Sequence, residues 1–156
     1  MRAQALEFAA GTSAGPLDPA RVLAVEQLVG HAFDEAFLDL LLEQNGGPPR
    51  VRLLQVKGRV KVLERFLCLV DARENPRDAI YDVGTVWSML KGRLAPALVP
   101  FAVLFPGDFL CFDHSAGPTP AVVWWKHEAP AGGSAPPPVP VAPSFEDFLG
   151  MLRPDH

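Results

Sequence analysis

The spacing of apolar positions changes several times along the chain, and each change marks an element. From Asp18 the spacing is helical. Asp18 suits an N-cap and Pro19 the first helical position, Val22, Val25 and Val29 share a stripe, and Gly30 ends it. A second helix begins at Asp34 and runs through Phe37 and Gln44 to Asn45 and Gly46. Phe33 is placed to staple onto Leu38, and Phe37, Leu40 and Leu41 face a core. At Arg50 the pattern becomes β-type. VRLLQVK, a turn at Gly58-Arg59 and VKVLERFLCLV predict a hairpin in which Gly58 supplies the positive φ of a type II′ turn. Phe66 to Val70 is apolar on both faces, which predicts a central strand.

Asn75-Pro76 predicts the start of a third helix, with Ile80, Val83, Trp87 and Leu90 as its stripe and Gly92 as its stop. Short strands around Leu98–Val103, Phe109–Asp113 and Ala121–Lys126 alternate with the turn signals Pro106-Gly107 and Gly117-Pro118, the pattern of a meander. The proline-rich stretch 129–143 reads as a loop, since proline supplies no ladder donor. Ser144 with Asp147 three residues on opens a closing helix, with Phe145, Phe148, Leu149 and Leu152 inward and Pro154 as its stop. Residues 1–16 carry no sustained period and are expected to form a flexible tail, leaving 17–156 as one domain of the α+β class.

Composition narrows the setting. At 156 residues one core suffices, and 49% hydrophobic with 21% charged residues is a globular balance despite 17 prolines. The longest apolar run, Ala97–Phe105, is too short for a membrane span and is broken by Pro100. Glu7 interrupts the early apolar stretch, so no signal peptide is expected and the cytoplasm is the expected location. Cys68 and Cys111 sit in apolar segments and are expected to be buried and reduced. The net charge of −4 is uneven. Arg50, Arg52, Lys57, Arg59, Lys61 and Arg65 face only Glu64, a local excess of +5, whereas residues 1–49 carry −5.

No phosphate-cradling glycine motif, HExxH, CxxC or G-x-S-x-G is present, so no catalytic, cofactor-binding or metal residue is assigned. Cys111 and His114 would point to opposite faces of a regular strand, and His31 and His127 are isolated in sequence. Asp34, Glu35, Asp39 and Glu43 form an acidic cluster on the second helix, suited to a basic partner or to plain solvation. Trp124 and Trp125 must point to opposite faces of their strand, so one of them needs a cover on the far face, either from the proline-rich loop or from a partner. Nucleic acid is disfavoured as a partner of the basic hairpin, where residues 50–65 offer no aromatic stacking platform.

The segments FLDLLLEQNGG, LVPFAVLFPGDFLCFDHS, AVVWWKHE and APSFEDFLGML, in this order and at these intervals, resemble the SUKH superfamily of Smi/Knr-type proteins over most of Asp18–Leu152. The resemblance implies a curved, largely antiparallel sheet of about five to six strands with two N-terminal helices, a middle helix and a short C-terminal helix. Two places depart from the pattern: Ala32-Phe33 replaces the usual leucine-proline before the second helix, and Val103–Pro106 replaces an acidic, glycine-rich lead. Gly107-Asp108 and Asp113 carry over, with a turn-holding role favoured for the aspartates. Bacterial relatives are regarded as immunity proteins that bind and block a cognate polymorphic toxin, often a nuclease or deaminase; fungal relatives act as regulatory scaffolds. The resemblance therefore implies a non-enzymatic protein-binding domain in the bacterial cytoplasm. Its leading partner is a basic toxin, with a scaffold role as the alternative and an enzyme or small-ligand binder less favoured. The partner-binding candidates are Asp34, Glu35, Asp39, Glu43, Asp113 and Trp125. The hairpin 50–65 remains a competing contact surface, and the oligomeric state stays open.

Overall fold

Asp18, in extended backbone, turns its carboxylate onto the Ala20 amide at 2.9 Å and so starts α1, Pro19–Val29. Gly30 at φ 83° closes it, the left-handed geometry a glycine adopts at low cost. In the computed structural model, which describes residues 6–126 and 137–154, α1 buries Val25 and Val29. Helix α2, Glu35–Glu43, is capped by Asp34, which accepts from the amides of Ala36 and Phe37. As expected, α2 buries Phe37, Leu40 and Leu41.

Strands β1, Val51–Val56, and β2, Arg59–Phe66, form the hairpin, closing with the pair Val56↔Arg59. The two loop residues are therefore Lys57 and Gly58, not Gly58 and Arg59. Both have positive φ, 50° and 78°, which is a type I′ turn and corrects the expected type II′. The strain of a left-handed lysine is accepted because a type I′ turn matches the twist of the flanking strands, as types I and II do not.

The predicted third helix divides into a 3-10 turn at Ala79–Tyr81 and α3 at Val83–Leu90. Its cap is Asp82 and not Asn75, because Asp82 is extended and accepts from the Thr85 amide at 3.0 Å. Ile80 accordingly misses the stripe and is 62% exposed.

Strands β3, Leu98–Phe105, β4, Asp108–Asp113, and β5, Ala121–Trp125, continue the meander. Residues 129–136 of the expected proline-rich loop lie outside the described residues, but Val139–Ala142 is a strand, β6, pairing with β5. This corrects the loop expectation: proline is tolerated on an edge strand, where a missing N–H can face away from the ladder. After α4, Phe145–Met151, a two-residue strand β7, Arg153–Pro154, returns to β1. The sheet is antiparallel, in the order β6-β5-β4-β3-β2-β1-β7. A curved antiparallel sheet with helices is the α+β class expected.

Two bulges shape its inner face. Register shifts at Leu63/Arg65 and at Pro100/Ala102 let Leu63 and Phe66, and Phe101 and Ala102, face inward together. Phe101 stacks on Phe112 at 4.4 Å, and Phe37 from α2 meets both rings and Phe145 from α4 edge-on. Phe66 and Phe148 extend the set. All six rings are fully buried, so one aromatic cluster joins α2, α4 and three strands. The expected inward set of α4 is confirmed: Phe145, Phe148, Leu149 and Leu152 are each at most 2% exposed.

The stretch 6–16, expected to belong to a flexible tail, is anchored. Leu6 is fully buried, Phe8 bridges to Pro49, and the Ala14 amide donates to the Asn45 carbonyl. Both cysteines are buried and unpaired, as expected; burial pushes the Cys68 thiol up to about 12 and raises that of Cys111 as well.

Two substitutions test how α4 docks. Ser144 accepts from the Asp147 amide at 3.1 Å, so Ser144→Ala is expected to cost about 1 kcal/mol, a lost N-cap. Phe148→Ala is expected to cost about 3 to 5 kcal/mol by opening a cavity among the rings. Urea unfolding reads both, and equal small effects would show that α4 contributes little to the core.

Candidate interaction surfaces

The described residues contain two buried polar or charged side chains, Asn45 and Asp82, and both serve one segment. Residues Leu67–Val70 leave β2 in extended form and are buried, so their backbone groups need partners inside the protein. The Leu67 amide donates to the Phe101 carbonyl, and Cys68 pairs in parallel with the chain around Asp82. Leu69 exchanges two hydrogen bonds with the Asn45 side chain, its amide donating to Oδ1 at 3.0 Å and its carbonyl accepting from Nδ2 at 3.1 Å. The Val70 amide donates to Asp82 Oδ1 at 2.8 Å.

Asp82 also receives Arg21 from α1, Nη2 to Oδ2 at 2.5 Å and Nε to Oδ1 at 3.3 Å, together with the Thr85 amide and hydroxyl. The hydrogen bond to Asp82 raises the Arg21 guanidinium above its ordinary value. Gly84 makes room for this approach: a Cβ there would come within 3.1 Å of Arg21 Nη2, Asp82 Oδ2 and Val25 Cγ2. The hydrogen bonds of this cluster hold α1, α3 and the Leu67–Val70 segment together, a structural role. The sequence reading missed it, because Arg21 and Asp82 lie 61 residues apart and neither belongs to a motif.

The acidic candidates divide. Glu35, Asp39 and Glu43 follow one another at i, i+4 and i+8 on α2, are exposed, and form a single strip beside Leu42, which is 67% exposed. Asp34 is the cap of α2 and lies instead with Asp113 near a pair of imidazoles. His31 and His114 stack at 4.3 Å with their planes 6° apart, and His31 donates through Nε2 to the Pro96 carbonyl at 3.0 Å. Burial, followed by the nearby His31, lowers the His114 value, while Asp113 and Asp34 oppose that change. The sequence reading treated His31 as isolated, since the contact is made only by the folded chain; His127 lies outside the described residues.

Asp113 holds a turn, as favoured, by accepting from the Ser115 amide at 2.9 Å. Asp108 accepts from the Trp124 indole at 2.9 Å, a contact across the strands. Trp124 and Trp125 do face opposite sides, but both are buried. Trp125, at 2% exposure, lies against Phe109 and under Arg93, so its cover is internal and it offers no free contact surface.

The basic hairpin also divides. The Lys61 ammonium lies over the Trp124 ring at 4.5 Å and the Arg65 guanidinium over Tyr81 at 3.8 Å, whereas Arg50, Lys57 and Arg59 are exposed. No three His, Cys, Asp or Glu side chains among the described residues converge to hold a metal ion. The raised thiols are poor nucleophiles.

A curled antiparallel sheet with helices, a polar centre spent on folding and two exposed faces of opposite charge characterise this α+β domain. The chain belongs to the SMI1/KNR4 family (SUKH-1), whose profile matches residues 16–151. That places it among immunity-protein-like domains that engage protein partners. Comparison with curated proteins finds no match. Among the described residues no helix is long and apolar enough to cross a membrane.

Two predictions follow the polar centre and the histidine pair. Asp82→Ala is expected to cost about 3 to 5 kcal/mol in urea unfolding, because it strands buried amides and removes the partner of Arg21. Arg21→Met is expected to cost less, since Val70 and Thr85 still donate to the carboxylate. His114 binds its proton less readily folded than unfolded, so its contribution is full above about pH 6.5 and is lost as pH falls through the lower folded value. Urea midpoints should therefore drop below about pH 6.5, and His114→Gln should flatten the drop; an equal slope in the variant would overturn this.

Proposed function

We propose that this domain is an immunity protein that binds and neutralises a cognate toxin of nuclease or deaminase type without catalysing a reaction. The observation that carries the reading is the exposed strip Glu35, Asp39 and Glu43 on α2, flanked by Leu42. Carboxylates at this spacing face one direction and project a single negative field, and a nuclease or deaminase domain that handles nucleic acid presents a positive one. Leu42 adds an apolar contact that long-range attraction alone does not supply. Family membership supports a protein partner.

The test takes the product of the adjacent gene as the candidate toxin. Co-purification establishes the pair, and stopped-flow mixing at several salt concentrations reads the association rate. Asp39→Lys with Glu43→Lys is expected to slow association about tenfold or more at low salt and to flatten its salt dependence. Folding stability should stay within about 0.5 kcal/mol, since both side chains are exposed. An unchanged association rate would exclude the α2 strip as the contact surface.

A further inference from the structure

A different surface lies at the end of the sheet. Strand β7 pairs with β1 only at Val51 and Leu53. Among the described residues Leu54, Gln55 and Val56 therefore have a strand neighbour on the β2 side alone. A strand edge of this kind presents backbone donors and acceptors ready to pair with another chain.

Side-chain chemistry at this edge is specific. A cavity of ≈ 390 Å³ opens beside it, lined by Leu53, Leu54, Gln55, Val60, Met151 and Arg153. Val60 is 58% exposed, and the adjoining row Leu53↔Val62↔Phe105 ends in a phenylalanine that is 60% exposed. The exposed cations Lys57, Arg59 and Arg153 stand close by in the turn, on β2 and on β7, and form no ion pair with any described residue. Glu64 is the one acid in residues 50–65. By contrast, Lys61 and Arg65 rest on aromatic rings and hold less of their charge outward.

We propose that the open edge of β1 at Leu54–Val56, with its adjoining cavity, docks an acidic extended segment of a partner protein by strand addition. Main-chain pairing with β1 supplies the orientation, and an apolar side chain of the segment enters the cavity. Carboxylates on the segment meet Lys57, Arg59 and Arg153. The occupant's charge follows from complementarity with these exposed cations, of which Arg153 also donates to the Gly150 and Leu152 carbonyls. A second copy of this chain placed by a two-fold axis would set the same cations against each other. A nucleic acid would use the charge but leave the strand edge unpaired. This site is separate from the α2 strip and takes a partner segment of opposite charge, so the two readings stand or fall independently.

The experiment is an amide NMR titration of the isotopically labelled protein with the peptide acetyl-Glu-Val-Glu-Leu-Glu-Val-Asp-amide. The expected result is shifts concentrated at Leu54–Val56, Val60, Met151 and Arg153. Affinity should fall about tenfold with Lys57→Glu and Arg59→Glu together. Val60→Arg, at an exposed position, should abolish binding while the urea midpoint stays unchanged. N-methylation of alternate peptide amides, which removes the backbone donors, should abolish it too. The proposal is overturned by an absence of shifts at millimolar peptide, or by equal binding of the N-methylated peptide or of a lysine-substituted one. It is equally overturned if an eight-nucleotide single-stranded oligothymidylate binds these residues more tightly than the peptide. A concentration-dependent dimer in sedimentation that Val60→Arg dissolves would assign the edge to a second copy instead.

Discussion

The buried carboxylate of Asp82 is the constraint on which the rest of this fold depends. An extended segment, Leu67–Val70, passes through the interior where neighbouring strands do not supply all of its hydrogen bonds. Asp82 and the Asn45 amide act as substitute strand partners, and each brings its own element with it. Asp82 caps α3 and draws in Arg21 from α1; Asn45 follows α2 and receives Ser13 and Ala14 from the N-terminal stretch. A buried ion pair is weak evidence of net stability, because desolvation offsets most of the attraction. Here the carboxylate is more than an ion-pair partner: the backbone amides of Val70 and Thr85 depend on it, and burying them unpaired would be costly.

The other organising term is apolar. Phe37, Phe101, Phe112, Phe145, Phe66 and Phe148 meet at ring distances that favour edge-on contact, and their burial requires the sheet to curl around them. The curl lets Lys61 on β2 reach over Trp124 on β5 across two intervening strands. Packing and the polar cluster thus consume the interior, and partner recognition falls to the surface. There the charge asymmetry of the chain becomes spatial, acids along α2 and cations around the β1–β2 turn.

Much of the local structure was legible because its determinants are neighbours in sequence. The Asp18, Asp34 and Ser144 caps, the Gly30 stop and the inward stripes of α2 and α4 each depend on residues within one or two turns. The failures share a cause as well. Asn75-Pro76 carries a good start signal, yet Asp82 is the cap, because its pairing with Cys68 holds that residue extended after the 3-10 turn at Ala79–Tyr81. Val139–Ala142 looks like a loop until an edge position beside β5 makes its prolines acceptable. The residues 6–16 lack periodicity because Leu6 and Phe8 are held by burial and by Pro49, not by a regular element.

By itself, the sequence determined the α+β class, most element positions, the family resemblance and the acidic spacing of Glu35, Asp39 and Glu43, since all of these are written in local spacing and composition. Tertiary structure alone decided which charged and aromatic residues remain available. Trp125 lost its place as a contact because Phe109 and Arg93 cover it. Asp34 and Asp113 were drawn into a cap, a turn and the surroundings of two stacked histidines. The Arg21–Asp82 pair, 61 residues apart, came into being only when α1 closed over Gly84. The reason is that burial and long-range pairing depend on which distant segments share a neighbourhood, and no local pattern of side chains encodes that.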